Sequence, residues 1–449
     1  MLVRTSLITC LLSISISTFG QEPLSLEQSI RYARENHNSV KDALLEIEDA
    51  KGNIKEFLSI GMPKVTGNVD LQHFIDIPTS IIPQGSFFAG DTDLSIPPNP
   101  AEDLEVQFGF KNNITASLDA EFLLFDGSFL VGLRAARLFK GVVEDQSAIA
   151  KEEVGENVAK SYLSVLVAQK NQEILEKNIS NLQGILRETE VTYENGFVEK
   201  LDVDRLHLSL ANLQIESERI ESLVEISMNV LKFSMGYPMT EELRLSETFD
   251  DHLISEYEQE TYAAAVPDYH GRAQFVAVEN AQKLNEINIL RHKVGYVPTL
   301  RGFGTYSQIL QGNKFLQGIW FPTSLVGLTL SVPIYDGSEK SAKIQRARIA
   351  RDQHALTIEN VRRAIELEVS NAQLSFQNAR KSVQSTTDNL SLAERIYETT
   401  QIKYREGVGS SLEVSRAESD LYQSQSNYIN ALYDLLVAKV DMEKALGTL

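Results

Sequence analysis

Little in this 449-residue chain can carry covalent or redox chemistry. It has one cysteine, one tryptophan and seven scattered histidines at 37, 73, 207, 252, 270, 292 and 354. No HExxH or paired metal-ligand spacing links those histidines. There is no GxxxxGK[ST], no GxSxG, and no GxGxxG opening a helix. The carboxylates are numerous but fall on solvated helix faces, and no pair is set apart as acid and base. An enzyme, a cofactor and a metal are therefore not expected. Positive charge is also scarce: 42 Lys+Arg stand against 62 Asp+Glu, a formal charge of −20. That balance argues against nucleic acid, which needs clustered cations, and against a basic membrane-surface binder. Past the first twenty residues no apolar run reaches the roughly 18 residues of a transmembrane helix. A β-barrel escapes that exclusion, because it hides its lipid-facing residues at every second position. Apolar content of 43% excludes a disordered chain.

The amino terminus reads as a secretory signal peptide, residues 1–20. Arg4 precedes the apolar stretch Leu7–Ile16, and Ser17-Thr18-Phe19-Gly20 supplies the small-residue end. Cys10 would leave with it. The exported chain then has no thiol or disulfide.

Proline and glycine are absent where long helices need them absent. No proline lies between Pro100 and Pro238 or after Pro333, and neither Gly nor Pro lies between Gly337 and Gly407. That last stretch is rich in good helix formers, with Ile344, Ala347, Ile358, Val361, Ile365, Val369, Ala372 and Phe376 at helical spacing. The reading is a long helix at 338–403, a counterpart at 128–194, and shorter helices at 201–233 and 412–446. Two more fall at about Leu26–Ile60, opened by the capping box Ser25-Leu26-Glu27-Gln28, and at Tyr269–Val294. Helices near 100 Å, at ~1.5 Å per residue, far exceed ordinary globular ones and require packing that a compact core does not offer.

The sequence is also written twice. Leu118–Gly127 aligns with Leu328–Gly337 at an offset of 210, and Tyr193–Leu210 with Tyr404–Leu421 at 211. The same 211 register carries Met235-Gly236 onto Leu446-Gly447, while Met62–Gly67 matches Val297–Gly302 at 235. Four matches in order indicate a tandem duplication. A first repeat covers 21–236 with a hairpin at 64–125. A linker follows at 237–267, and a second repeat at 268–449 has its hairpin at 299–335.

Between the helices lie alternating segments. Ile114, Ala116, Leu118, Ala120, Phe122 and Leu124 form one face of a strand, and Asn113, Thr115, Ser117, Asp119 and Glu121 the other. Val326, Leu328, Leu330, Val332 and Ile334 repeat the apolar face, with Val65–Phe74 and Leu300–Ile309 as partners. Ile75–Gly109 and Leu310–Thr323, holding Phe87, Phe88, Phe315, Trp320 and Phe321, read as outward loops. A small soluble sheet with one wet face alternates in the same way. Four strands cannot close a barrel, and unpaired edges cannot stand in lipid, so a membrane reading requires several chains to share one barrel.

Taken together, these features resemble the TolC-like outer-membrane efflux duct family of Gram-negative bacteria. The carriers are the Pro63 and Pro298 strand starts, the turns Phe125-Asp126-Gly127-Ser128 and Tyr335-Asp336-Gly337-Ser338, and Gly196…Leu201-Asp202-Val203 with Gly407…Leu412-Glu413-Val414. Lys444-Ala445-Leu446-Gly447-Thr448-Leu449 closes the set. The resemblance implies a mainly α fold with a small β part: a long α-helical barrel plus a transmembrane β-barrel of twelve strands, four from each protomer of a homotrimer. It implies an exit duct of a tripartite efflux or type I secretion system, set in outer-membrane lipid with a periplasmic helical extension. Its partners would be a periplasmic adaptor and an inner-membrane transporter. By position it makes Asp202 and Glu413 the constriction at the periplasmic mouth and Tyr404 part of a polar lock. Gly196, Phe197 and Val198, with Gly407, Val408 and Gly409, become the adaptor-docking tips, and Asp70, Asp119 and Glu121 the acidic pore lining. Two positions depart from the family's pattern: Gly409 stands where an arginine is expected, and Arg416 where a second acid is. The rival readings are a periplasmic coiled-coil structural or adaptor protein that forms no channel, and a simple porin, which needs many more strands per chain.

Overall fold

A computed structural model of the protein describes residues 23–82, 104–249 and 266–448. The expected signal peptide, Phe87 and Phe88, and part of the 237–267 linker lie outside the described residues. Seven helices are described: α1 (Leu26–Asn36), α2 (Asn38–Ile60), α3 (Gly127–Glu194), α4 (Lys200–Met235), α5 (Ala273–Val294), α6 (Glu339–Arg405) and α7 (Ser411–Leu446). α3 and α6 have 68 and 67 residues, about 100 Å each at ~1.5 Å per residue. Among the described residues no helix is long and apolar enough to cross a membrane.

Two compact units divide the chain, and one of them holds Val142–Glu279, Leu356–Leu449 and the stretch up to Ile47. Its main core gathers Tyr162, Leu166, Leu231, Met235, Leu432 and Leu435, each 2% exposed or less. The Tyr162 hydroxyl donates to the Leu24 carbonyl (3.1 Å). Leu24 in turn pairs with Leu245 in a short parallel bridge, so the described start of the linker docks on this core. The helix expected across Leu26–Ile60 is instead broken at His37, where ψ is 137°. His37 Nδ1 accepts from the Ser39 amide (3.2 Å) and so starts α2. Gly236, in the left-handed conformation that ends α4, comes so close that a Cβ there would lie 3.0 Å from the His37 Cα. Gly447 ends α7 in the same conformation, 211 residues later.

The other unit, Glu48–Gly141 with Asn280–Ala355, carries the sheet. β1 (Lys64–His73), β4 (Asn112–Phe125), β5 (Thr299–Lys314) and β6 (Gln317–Ser331) are antiparallel in the order β1-β4-β5-β6. β2 (Thr79–Ile82) and β3 (Leu104–Gln107) form a separate pair inside the first joining segment. The pairing of β4 with β5, Asn112 opposite Gly312 through Phe125 opposite Leu300, fuses the hairpins of the two halves. β1 and β6 are left as edges.

The second hairpin is longer than its sequence suggests. Leu310–Thr323 is not a loop: β5 runs to Lys314, β6 starts at Gln317, and only Phe315-Leu316 turns between them. Gly312 and Gly318 permit close backbone approach beside a register shift between Gln311 and Lys314. A Cβ on Gly318 would lie 2.2 Å from the Gln311 carbonyl oxygen. At its other end β6 stops at Ser331, two residues before Pro333, which has no N–H to give. Gly318→Ala should therefore destabilise the protein by about 1–3 kcal/mol. Gly304→Ala, whose Cβ would meet its nearest neighbour at 3.5 Å, should change little. Denaturant unfolding in detergent compares the two.

Candidate functional site at the helix tips and the polar sheet face

Two helix-turn-helix tips are built alike, 211 residues apart. Gly196 (φ 80°) and Gly407 (φ 76°) take the left-handed conformation that only glycine adopts without strain. The next residue closes each turn, the Phe197 amide on the Thr192 carbonyl (3.1 Å) and the Val408 amide on the Lys403 carbonyl (3.0 Å). Their side chains point outward, with Phe197 81% and Val408 78% exposed. Gly409 packs so tightly that a Cβ would sit 3.0 Å from the Tyr404 backbone nitrogen. This turn accepts an arginine only if the neighbouring backbone gives way.

Asp202 and Glu413 are equivalents under the repeat, yet they are placed differently. Asp202 stands in the first turn of α4, where Oδ2 accepts from the Glu199 amide (3.4 Å) and favours the positive end of the helix. Its Oδ1 accepts a short hydrogen bond from the Ser411 hydroxyl at the start of α7, with Arg205 Nη1 4.0 Å away. Glu413 is exposed, and only its amide is engaged, donating to the capping Ser410 Oγ (3.3 Å). The tyrosines have diverged as well. Tyr404 shares a hydrogen bond with Thr189 Oγ1 (2.9 Å), while Tyr193, its repeat equivalent, is exposed. Burial pushes the Tyr404 phenol up, and the nearby Asp202 charge adds to that, so its hydroxyl keeps its proton at neutral pH. Asp202–Ser411 and Tyr404–Thr189 both tie the first repeat to the second. Arg405–Glu188 (3.3 Å) and Ser209–Ser415 (3.2 Å) do the same nearby.

In the sheet, register decides which side chains share a face. Asp70, Asp119 and Glu121 lie opposite Thr115, Thr66 and Lys64, all on one face with Asn68, Ser117 and Thr305. The other face holds Val65, Val69, Leu118, Val326, Leu328 and Leu330, each more than half exposed. The three acids are not equally available. Asp119 accepts from Asn68 Nδ2 (3.0 Å), Ser117 Oγ (2.8 Å) and Thr305 Oγ1 (2.8 Å), whereas Asp70 and Glu121 are exposed. Lys64 and Arg301 share a shallow cleft with Glu121. Among the described residues no group of three His, Cys, Asp or Glu side chains is arranged to hold a metal.

Sequence reading missed Thr189 and Ser411, the partners of Tyr404 and Asp202, because one is buried in α3 and the other looks like an ordinary first-turn serine. It also missed Glu418, which is 4% exposed, with Oε1 unpartnered. A signal was present: Val414, Ala417 and Leu421 form an apolar stripe, and Glu418 interrupts it at helical spacing. Burial pushes the Glu418 carboxyl up to about 8. Tyr397 is pushed up to about 12 by its own burial and, secondarily, by Glu418.

Known proteins agree with this geometry. A family model described as "Outer membrane efflux protein" matches residues 272–448. Residues 272–448 thus resemble outer-membrane efflux proteins. "Outer membrane protein TolC" of Vibrio cholerae is 21% identical over 75% of this chain and 77% of its own length. The "Toluene efflux pump outer membrane protein TtgC" of Pseudomonas putida is 21% identical over 65% of this chain and 60% of its own. The solved Campylobacter jejuni CmeC outer membrane channel superposes with a TM-score of 0.70 at 16% identity, covering 94% of this chain and 85% of that one. The relatives are described as outer-membrane proteins, and the solved CmeC channel shares the fold of this chain.

Two outcomes follow for the tips. Tyr404→Phe should weaken the tip by about 1 kcal/mol, read as faster amide exchange at 191–200 with the sheet unaffected. For Glu418, a carboxyl with an ordinary pKa near 4.3 when unfolded and about 8 when folded binds more protons folded than unfolded between those values. Stability therefore falls as pH rises through that window, by up to about 1.4 kcal/mol per pH unit. Glu418→Gln should flatten this fall in denaturant midpoints measured from pH 4.5 to 8.

Proposed function

We propose that the protein is one of three identical chains of an outer-membrane exit duct. Substrates reach it from an inner-membrane transporter through a periplasmic adaptor, and it conducts them passively. The observation that carries this is the four-stranded sheet, with β1 and β6 unpaired at its edges and an apolar face open to its surroundings. In lipid those edges need partners. Three copies supply them by joining β6 of one to β1 of the next in a twelve-stranded barrel. The polar face with Asp70, Asp119 and Glu121 then lines the lumen. The repeats 21–236 and 268–449, linked by 237–267, each contribute one hairpin and two long-helix arms. No catalytic step is assigned to any residue. A soluble coiled-coil role fits less well, because it leaves the apolar sheet face without a covering.

The tips form the periplasmic mouth. Phe197 and Val408 present exposed apolar knobs to the adaptor, flanked by Gly196, Val198, Gly407 and Gly409. Opening separates the helix pairs and must break the Asp202–Ser411 and Tyr404–Thr189 bonds. Three copies each of Asp202 and Glu413 make acidic rings that favour cations. In planar bilayers the purified channel should show a cation-selective reversal potential and block by multivalent cations, and the Asp202→Ala/Glu413→Ala pair should relieve that block. Anion preference removes the acidic lining from the reading, and an unchanged block removes the two acids from the gate.

A further inference from the structure

The formal charge of −20 conceals a local reversal. Four helical stretches adjoin the sheet along the chain: 48–60 in α2, where Glu48, Asp49 and Glu56 stand against Lys51 and Lys55, and then 127–141 in α3, 287–294 in α5 and 340–351 in α6. The last three hold ten Lys and Arg and no Asp or Glu. All three belong to the sheet-bearing unit. Of the carboxylates that flank them, Asp336 pairs with Lys340 (3.1 Å), Glu339 with Lys343 (2.5 Å) and Asp352 with Arg351 (2.7 Å), while Glu286 is exposed. Arg134, Arg137, Arg291, Lys293, Arg346 and Arg348 are exposed, and none has an ion pair among the described residues. His292, Lys343 and Arg346 line one shallow cleft between α5 and α6. Burial lowers the His292 pKa, and the positive charges of Arg291 and Lys343 add to that.

Position gives this cluster its meaning. Arg134 and Arg346 stand seven residues into α3 and α6, about 10 Å along each helix from its sheet end at ~1.5 Å per residue. Arg291 and Lys293 are in the last turn of α5, just before β5. Between the sheet and the cations of α5 and α6 lie Val297 and Ile334, then Tyr296 and Tyr335, all exposed. Moving from sheet to helix, the surface passes from apolar through aromatic to basic within about 10–15 Å. That is the profile of a bilayer boundary: hydrocarbon core, interfacial aromatics, headgroup phosphates. Arg and Lys suit the last layer, because their stems lie on apolar surface while the charge reaches out.

We propose that this collar binds the phosphates of anionic phospholipids in the periplasmic leaflet of the outer membrane. One lipid satisfies both parts of the surface at once, its tails against the apolar sheet face and its phosphate among the helix cations. A water-soluble anion matches only the cations. The inference rests on the proposed membrane placement and not on conduction, so it stands or falls separately from the proposed channel activity.

The test uses the full-length protein in vesicles of phosphatidylethanolamine alone or mixed with phosphatidylglycerol, extracted gently and analysed for co-purifying phospholipid. The expected result is enrichment of phosphatidylglycerol over its bulk fraction, weakening as salt shortens the screening length. Because each basic residue near an anionic surface strengthens binding about fivefold, R134Q/R137Q/R291Q/R346Q/R348Q should lower the enrichment at least tenfold. The charge-preserving R134K/R137K/R291K/R346K/R348K should retain it. Enrichment that is absent in the wild type, insensitive to salt, or equal in the Gln variant overturns the proposal. So does greater displacement by inorganic phosphate than by chloride at matched ionic strength, which marks a free-anion site. If the Gln variant fails to fold, the wild-type salt series and the Lys variant decide the question alone.

Discussion

Backbone hydrogen bonding at two strand edges constrains this protein more than any other interaction. β4 and β5 satisfy each other and both neighbours, but β1 and β6 each offer a row of amides and carbonyls to one side only. In water such edges are tolerable; in hydrocarbon each unmade bond costs several kcal/mol. Burial within one chain is consistent with this. The inner strands are half-covered while β1 and β6 are open along their length. The same condition explains why the β4–β5 pairing matters. It converts two hairpins from separate halves into one continuous wall with only two edges left.

Duplication supplied the parts, and divergence between the copies made the tips work as a unit. Gly196 and Gly407 retain the same left-handed turn, and Gly236 and Gly447 the same helix end, because a backbone conformation leaves few substitutes. Side chains were freer to change. Of the paired tyrosines, Tyr404 turned inward to Thr189, and Tyr193 stayed in solvent. Of the paired acids, Asp202 reached across to Ser411, and Glu413 stayed exposed. Both inward partners join one repeat to the other. Glu418, buried among apolar neighbours with its Oε1 unpartnered, is a cost carried near the tips.

Charge is distributed as unevenly as hydrophobicity. The chain average is strongly acidic, and read as an average it argues against any basic membrane contact. Yet the turns of α3, α5 and α6 beside the sheet carry cations alone. Net charge describes solubility and long-range fields; it does not describe a collar ten residues deep.

Much of the fold was legible in the chain because it depends on local rules. The Gly- and Pro-free stretch 338–406 leaves a helix no reason to stop. Period-two alternation at 113–124 marks a half-buried strand, and glycine after a run of helix marks its end. Tertiary contact decided the rest. His37 breaks a helix that its sequence would continue, because the end of α4 arrives against it. Leu310–Thr323 is strand because two glycine-permitted backbones approach each other, although its composition reads as loop. The acids assigned to the site were visible as residue types. What distinguishes Asp202 from Glu413, or Asp119 from Asp70, is a hydroxyl donated from more than fifty residues away. Local conformation follows from each residue's own sterics and solubility, whereas a partner's identity depends on where distant backbone brings it, and only the folded chain contains that distance.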